Sequence, residues 1–160
     1  MSLSAEILLR LEMQDLQDRY MAAIDNDKLE DWPSFFVEDC LYEIIPKENA
    51  DAGLPIPLVY CDNAAMLRDR VISLRHANIY AQPYYRHFLS GLSCRMVGDD
   101  RVEMSASYLV INTTPAGESQ VYQAGRYEDV VVKTDKGWRF KSKRAIYDTS
   151  RVHTLLAYPI

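Results

Sequence analysis

Apolar residues recur at intervals of three and four near the start of the chain. The recurring positions between residues 5 and 25 are Leu9, Met13, Leu16, Tyr20 and Ile24. This is the spacing of one face of an α-helix, and polar residues stand between these positions. The pattern therefore predicts an amphipathic helix over residues 5–25 with one buried side.

The remainder of the first half predicts shorter elements. Residues 28–36 predict a second helix, which Pro33 limits to one or two turns. Residues 40–46 alternate between apolar and polar side chains, as a strand does. Asp62 is placed to cap a third helix over residues 63–80.

Four strand-like segments follow one another in the second half, over residues 86–97, 101–113, 119–133 and 138–149. The joins between them are short and rich in turn residues, which predicts an antiparallel meander. The order of these elements, with helices first and a strongly curved sheet afterwards, predicts an α+β fold whose helices lie in the concave face of the sheet. The 160 residues suit one domain, and no stretch has the composition of a linker.

Two segments have neither a helix nor a strand pattern. Residues 48–58 are rich in Pro, Gly, Asn and Asp, and a loop of this length indicates a functional or partner-binding excursion. Residues 150–160 form an apolar tail, which we expect to dock on another surface.

The charge balance argues against nucleic acid as a partner. The net charge is −5 and the pI is near 5.2, whereas phosphate binding needs a basic surface. Arg139, Lys141 and Lys143 occupy alternate positions of a predicted strand, so we expect them on one face, open to solvent or to a partner. Eleven tyrosines are many for this length and suit pocket walls or subunit contacts.

Cysteine usage and hydropathy bear on localisation. Cys40, Cys61 and Cys94 are odd in number and lack a paired spacing, which argues against a disulfide framework and favours a reducing cytoplasm. Glu6 and Arg10 interrupt the first apolar stretch, so it does not resemble a signal peptide, and no later apolar run approaches membrane-spanning length. We expect a cytoplasmic protein without membrane contact.

Motifs for nucleotide, nucleophile and metal chemistry are missing from the sequence. It contains no GxGxxG, GxxxxGK[ST] or GxSxG. His76, His87 and His153 stand far apart, and no cysteine has a histidine or a second cysteine close by, whereas metal sites commonly use tight ligand spacing. We expect no metal and no cofactor in this chain.

Aromatic and ionisable residues form one candidate constellation. Its members are Tyr20, Asp25, Trp32, Tyr42, Tyr84, Tyr85, Arg86, His87, Tyr147 and Asp148. In a helix-lined cone, His87 with Asp25 or Asp148 would form a general base beside a tyrosine that donates a proton. The alternative is that the aromatic residues are core and that Arg86 and His87 form a strand edge or contact a partner. The residue types alone leave both interpretations open.

Several longer segments together resemble one protein family. They are residues 25–44 (ending KLEDWPSFFVEDCLYEI), residues 66–91 (MLRDRVISLRHANIYAQPYYRHFLSG), residues 125–132 (GRYEDVVV) and residues 137–149 (GWRFKSKRAIYDT). Their order and spacing are similar to those of the small (beta) subunit of aromatic-ring-hydroxylating dioxygenases. The loop over residues 48–58, the YYRHFLSG segment and the YPI ending look most like subunits of enzymes for carboxylated rings, such as terephthalate dioxygenase and salicylate hydroxylase.

This resemblance implies a cone-shaped α+β barrel of the nuclear-transport-factor and cystatin-like type. It further implies that a Rieske 2Fe–2S cluster and a mononuclear iron lie in a separate alpha (large) subunit, with electrons from NADH delivered through a reductase. The usual assembly of the family is alpha3beta3, with the beta subunits as a homotrimer. We expect the chain to assemble and stabilise the alpha subunits.

The resemblance implies subunit-interface or structural roles for a defined set of residues. They are Tyr84, Tyr85, Arg86, His87, Arg139, Lys141 and Asp148. Two other hypotheses stay open because fold does not determine function. One is a stand-alone dehydratase or isomerase with a pocket of Tyr20, Asp25, Trp32 and His87. The other is a homo-oligomer that binds a small molecule without a reaction.

Overall fold

A computed structural model describes residues 4–77, 84–148 and 157–160. The helices are α1 (Ala5–Asp25), a 3-10 helix (Trp32–Phe35), α2 (Lys47–Asp51) and α3 (Ala64–His76). The strands are β1 (Phe36–Pro46), β2 (Val59–Cys61), β3 (Tyr84–Met96), β4 (Arg101–Thr113), β5 (Ser119–Thr134) and β6 (Gly137–Tyr147). Within these ranges, no helix is long and apolar enough to cross a membrane.

All six strands belong to one sheet, in the order β2-β1-β6-β5-β4-β3. Strands β3 to β6 form the predicted antiparallel meander. Strand β1 pairs in parallel with β6 and antiparallel with β2, so the sheet is mixed. Among the described strands β2 and β3 are edges, and the barrel implied by the family resemblance is not closed. The α+β class is confirmed.

The helices cover one face of the sheet, called the inner face below. Helix α1 contributes Leu16 and Tyr20 to the core, and α3 contributes Leu67. Alternate residues of β4 join the same core; they are Val102, Met104, Ala106, Tyr108 and Val110. The predicted packing of helices against the curved sheet is therefore confirmed, because both amphipathic surfaces are buried together.

Several local predictions were wrong. The short helix predicted within residues 28–36 does form, as one 3-10 turn over Trp32–Phe35, but the strand predicted over residues 40–46 starts earlier, at Phe36. Asn63 rather than Asp62 caps α3, since its side chain accepts a hydrogen bond from the Met66 N–H over 3.0 Å. The short strand β2 and helix α2 fall in or beside the predicted loop. The predicted end of the third helix, residues 78–80, lies outside the described residues.

Register shifts occur in four of the described strand pairs, and those in β3 and β6 bear on the predicted site and interface residues. In β3 the register with β4 shifts between Ser90 and Ser93, at Gly91, whose φ of 64° favours glycine. In β6 the register with β5 shifts around Lys141, so Phe140 and Lys143 both face inward. The prediction that Lys143 shares a solvent-facing or partner-facing surface with Arg139 was therefore wrong.

The last four residues, Ala157–Ile160, pack inside the protein. All four are buried, and Ile160 is completely inaccessible to solvent. The predicted apolar tail thus docks on its own chain in its described part, while residues 149–156 lie outside the description.

Candidate functional site

Strand β3 places His87 on the inner face, opposite the last residue of α1. The His87 Nδ1 lies 2.6 Å from Asp25 Oδ1, and the His87 main-chain N–H donates to Asp25 Oδ2 over 2.9 Å. The two side chains are 0% and 9% exposed, respectively. Asp148, the other carboxylate named from the sequence, is exposed just beyond β6. The structure therefore pairs His87 with Asp25.

The contact with Asp25 determines what the His87 ring can do. A carboxylate at Nδ1 holds the proton there, so that Nε2 of the neutral ring carries the lone pair. Nε2 is buried and has no hydrogen-bond partner in the part of the chain that the structure describes. The pair is able to accept a hydrogen bond or a proton from any group that reaches it.

A second polar cluster joins the aromatic core to the last residue of the sequence. The Tyr20 and Tyr42 hydroxyls donate to the main-chain oxygen of Ile160 over 2.8 and 3.3 Å. The Ile160 N–H donates to the Tyr42 hydroxyl oxygen over 2.9 Å. The Trp32 Nε1–H donates to the Tyr20 hydroxyl oxygen over 3.3 Å. Two members of the predicted pocket, Tyr20 and Trp32, are therefore engaged by the chain itself.

Burial makes these phenols harder to ionise than an exposed tyrosine. Desolvation raises the pKa of Tyr20 well above its ordinary value, and the nearby Tyr42 raises it further. Desolvation likewise raises the pKa of Tyr42, although the hydrogen bond to Ile160 and the charge of Arg70 oppose that rise. Both hydroxyls therefore remain neutral hydrogen-bond donors at any physiological pH.

A third cluster, which the sequence analysis missed, buries a lysine in the core. Lys143 Nζ donates to Asp129 Oδ2 and to Gln17 Oε1, each over 3.1 Å. The Gln17 Nε2 amide also donates to Asp129 Oδ2 over 2.6 Å. The Lys143 and Asp129 side chains are 0% exposed, and the Tyr127 ring centroid lies 3.5 Å from Nζ. Hydrogen bonds and a cation–π contact thus stabilise the buried charge.

Burial of this pair away from water shifts the pKa of both side chains. Desolvation raises the pKa of Asp129 and lowers the pKa of Lys143, while their mutual attraction opposes each shift. The sequence carries no short-range signal for the cluster, because Gln17 lies 126 positions from Lys143. Only the bulge at Lys141 turns Lys143 inward.

The segment around His87 divides between the two faces of the sheet. Tyr85 and His87 are buried on the inner face, whereas Tyr84, Arg86 and Phe88 point outward. Apolar residues from β4 and β5 lie beside them in register. We call this surface the outer patch; its members are Tyr84, Arg86, Phe88, Leu109, Ile111 and Val121. Phe88 is 56% and Val121 48% exposed, and Arg86 forms no ion pair with a described residue.

A second exposed apolar surface runs from the predicted loop, residues 48–58, into strand β2. Every second residue from 54 to 60 presents a large apolar side chain to solvent; they are Leu54, Ile56, Leu58 and Tyr60. We call these four residues the loop stripe. Pro55 and Pro57 stand between them and lack the N–H groups that a pairing strand needs. The loop stripe therefore suits side-chain contact rather than strand addition.

The remaining predicted interface residues lie on the surface of β6 or next to its end. Lys141 forms an ion pair with Asp39, and the Arg139 Nη1 donates to the Trp138 carbonyl oxygen over 2.8 Å. The Asp148 N–H donates to the Ala124 carbonyl oxygen over 2.8 Å. These contacts lie within one protomer and leave any role in assembly as a prediction.

A surface ion-pair cluster, also missed from the sequence, fastens α3 to the turn after α1. The Arg75 guanidinium donates to both carboxylate oxygens of Asp27, each over 2.9 Å, and to Glu30 Oε1 over 2.7 Å. The Tyr158 hydroxyl donates to the same Asp27 over 3.0 Å. The hydrogen bond from Arg75 lowers the pKa of Glu30 to about 2.

No group of three His, Cys, Asp or Glu side chains able to hold a metal occurs across residues 4–77, 84–148 and 157–160. Cys40, Cys61 and Cys94 are free thiols, and desolvation raises the pKa of each. The described residues therefore do not fit an iron site.

Comparison with known proteins identifies the family. The SnoaL-like domain family matches residues 5–144. The anthranilate 1,2-dioxygenase small subunit of Burkholderia cepacia is 55% identical over 159 residues, which is 99% of each chain. The chain belongs to the small subunits of aromatic-ring-hydroxylating dioxygenases, within the SnoaL-like family. The resemblance noted from the sequence is thereby confirmed.

Other dioxygenase small subunits agree in sequence and in structure. A beta subunit of the terephthalate 1,2-dioxygenase terminal oxygenase component from Comamonas sp is 37% identical over 142 residues, covering 88% of this chain and 92% of the relative. A crystal structure of the beta subunit assigned to an aromatic-ring-hydroxylating dioxygenase of Novosphingobium aromaticivorans is 41% identical. It superposes with a TM-score of 0.89 over 98% of this chain and 100% of that chain. The anthranilate relative shares more identity with the chain than the terephthalate relative does, and both enzymes are named for aromatic acids.

Proposed function

We propose that this chain is the non-catalytic beta subunit of a multicomponent aromatic-ring-hydroxylating dioxygenase, which assembles and stabilises the alpha subunits. One observation carries the proposal: a dioxygenase small subunit is 55% identical over 99% of both chains. The substrate is an aromatic compound with a ring carboxylate, because anthranilate and terephthalate both carry that group.

The filled interior supports assembly over catalysis. A dehydratase or isomerase of this fold would need Tyr20 and Trp32 open to a substrate, but Tyr20 donates to Ile160 and accepts from Trp32. The His87–Asp25 pair joins β3 to the end of α1. In this proposal the pair is structural, because its two hydrogen bonds hold the strand against the helix.

Two exposed apolar surfaces are the proposed assembly contacts. The outer patch combines tyrosine, arginine and phenylalanine, the residue types that are enriched in protein interfaces. The loop stripe adds four more apolar side chains at an edge of the described sheet. Of the residues named from the sequence, Tyr84 and Arg86 would contact a partner directly, whereas Tyr85 and His87 would support β3 from inside.

The iron chemistry belongs to the alpha subunit in this proposal. A Rieske 2Fe–2S cluster and a mononuclear iron there supply oxygen activation, with electrons from NADH passed through a reductase. The proposed assembly is alpha3beta3 with a beta homotrimer, located in the cytoplasm. The free thiols of Cys40, Cys61 and Cys94 agree with a reducing compartment.

Co-expression with the alpha subunit tests the proposal. We expect the alpha subunit to be soluble and iron-loaded when this chain is present, and to aggregate without it. An alpha subunit that folds and turns over equally well without this chain contradicts the proposal. The His87→Ala variant distinguishes the proposal from the dehydratase or isomerase alternative. An enzyme of that kind would lose turnover while staying folded, whereas an assembly subunit would lose stability or assembly.

A further inference from the structure

An apolar groove opens to solvent between the first turns of α1 and the last residues of β3. Its volume is about 680 Å³, and its apolar lining includes Leu8, Leu9, Leu92 and Met96. Leu8 and Met96 are exposed. Large apolar side chains that line a concave, exposed surface are typical of an interaction site, because a partner that covers them removes apolar area from water. We call this surface the edge groove.

The loop stripe has the converse shape. Its four apolar side chains project at alternate positions of an extended segment, and Ile56 is 60% exposed. The segment is held in place by the chain itself: the Leu58 N–H donates to the Ile44 carbonyl oxygen over 2.8 Å, and the Asn49 side-chain amide donates to the Ile56 carbonyl oxygen over 2.9 Å. A ridge that is ordered in advance loses little conformational entropy when it enters a groove.

The charges beside the two surfaces have opposite signs. Arg10 lines the edge groove, is exposed and forms no ion pair with a described residue. The other charged groups of the lining are already stabilised within the chain: Arg95 pairs with a glutamate of β4, Glu12 accepts from a tryptophan of β6, and Glu6 lies in the first turn of α1, where the helix dipole favours an anion. The loop stripe is followed by Asp62, which is exposed and likewise forms no ion pair within the described ranges.

The two surfaces lie at opposite edges of the sheet. The loop stripe runs into β2 and the edge groove lies on β3, with four strands between these two edges. The loop stripe of a protomer therefore does not reach the edge groove of the same protomer, whereas that of a second copy is able to do so. A contact between two different surfaces repeats from copy to copy and is complete when the copies close into a ring.

We propose that the loop stripe of one copy occupies the edge groove of the next, and that three such contacts close the beta homotrimer. The apolar side chains of the loop stripe enter the groove, and Asp62 comes to face Arg10. This inference rests on the proposed homotrimer and identifies the surfaces that form it. Association with the alpha subunit is measured separately by co-expression, so failure of the inference and failure of the proposed function are distinguishable.

Serine substitutions on each surface test the contact. The groove variant is Leu8→Ser/Met96→Ser, the stripe variant is Ile56→Ser/Leu58→Ser, and all four side chains are exposed in the protomer. We expect analytical ultracentrifugation to show that each variant associates at least about tenfold more weakly than the unaltered chain. Leu11→Ser is the matched control, because Leu11 is exposed on α1 but does not line the groove. Unchanged association of either variant, or an equal loss for Leu11→Ser, overturns the inference.

Mixing the two variants tests which surfaces meet. The groove variant keeps an intact loop stripe and the stripe variant keeps an intact edge groove, so one complete contact remains between them. We expect 1:1 heterodimers in the mixture and monomers of each variant alone. A mixture without heterodimers overturns the inference, as does a groove variant that stays trimeric but no longer binds the alpha subunit. An unaltered chain that is monomeric alone also overturns it, even where co-expression still stabilises the alpha subunit.

A charge exchange gives a second test that remains decisive where a serine variant fails to fold. Arg10→Glu and Asp62→Arg each place like charges at the proposed contact, and we expect each to weaken self-association about threefold or more. Both changes in one chain restore opposite charges, so self-association recovers. Single variants that associate like the unaltered chain, or a double variant that is no stronger than the single variants, overturn the inference.

Discussion

The inner and outer faces of the sheet differ in whether their side chains have partners within the chain. On the inner face, the buried charge and the core phenols have partners within the chain: Lys143 pairs with Asp129, and Tyr42 pairs with Ile160. On the outer face, large apolar side chains such as Phe88 stay exposed beside Arg86. The inner face therefore stabilises the protomer, whereas the outer face keeps large apolar side chains exposed, as interaction surfaces often do.

This contrast separates stability from assembly in a way that substitutions can test. Inner-face substitutions act on the free energy of unfolding, because they leave buried groups unpaired. Outer-face substitutions act on association, because the isolated protomer gains little from these side chains.

Removal of the buried lysine has the largest expected effect on stability. Lys143→Ala leaves the Asp129 carboxylate buried without its cation, and losing one partner of a buried pair costs about 3–5 kcal/mol. We expect urea denaturation to show a loss of this size. The matched control is Lys141→Ala, two positions away, which removes an ion pair between exposed side chains and should leave the free energy of unfolding nearly unchanged. Equal losses for the two variants would contradict the distinction between the faces.

Substitutions in the outer patch have the second-largest expected effect, which falls on association and not on stability. Phe88→Ser with Val121→Ser removes two exposed apolar side chains, and we expect the unfolding free energy of the isolated chain to change by about 0.5 kcal/mol or less. Association with the alpha subunit or between copies weakens at least about tenfold, which is about 1.4 kcal/mol. Analytical ultracentrifugation measures it.

A matched substitution decides whether the outer patch is specific. Ile72 on α3 is 58% exposed and is not a member of the outer patch. The Ile72→Ser variant should leave assembly intact. If it weakens association as much as the Phe88 and Val121 changes do, general loss of surface hydrophobicity rather than the outer patch explains the result.

The smallest expected effect concerns the ion-pair cluster at Arg75. Glu30 has its pKa lowered from 4.5 to about 2, so its contribution is fully present above pH 4.5 and disappears as the pH falls through about 2. The side chain is 62% exposed, and solvent screening limits the contribution to below about 1 kcal/mol. We expect Glu30→Gln to be less stable at pH 7 and equal to the unaltered chain near pH 2.

Urea denaturation across this pH range measures the difference between the two chains. Glu118→Gln, in the exposed turn between β4 and β5, serves as the control for removal of a carboxylate. A stability difference for Glu30→Gln that persists undiminished at low pH would show that lost packing, and not lost charge, is responsible.

The sequence predicted the elements that depend on local periodicity. Helix α1 runs from Ala5 to Asp25 as predicted, and the four strands of the second half appear with small shifts at their ends. The pairing of His87 with one of two carboxylates was also anticipated, because few ionisable residues fall on apolar patterns. The helix and strand predictions succeeded because each rests on residues within a few positions of one another, whereas the His87–Asp25 pairing joins residues 62 positions apart.

Features set by tertiary contacts were not predictable from the chain. The parallel pairing of β1 with β6 joins segments about 100 positions apart, as in Tyr42 with Lys143. The bulge at Lys141 turns the Lys143 side chain to the inner face, and no glycine at this point of the sequence indicates a bulge. The docking of Ile160 on Tyr20 spans 140 positions. In a regular strand every second side chain faces the same side of the sheet, so one inserted residue reverses the predicted facing of every later side chain.

The mass of the chain in solution tests the assembly claim most directly. Light scattering after size exclusion would be applied to the chain alone and to the chain co-expressed with its alpha subunit. The proposed assembly predicts a trimer of the 18.4 kDa protomer for the chain alone, and a larger iron-containing complex of both subunits on co-expression. A monomer or dimer whose mass is the same with and without the alpha subunit would contradict it.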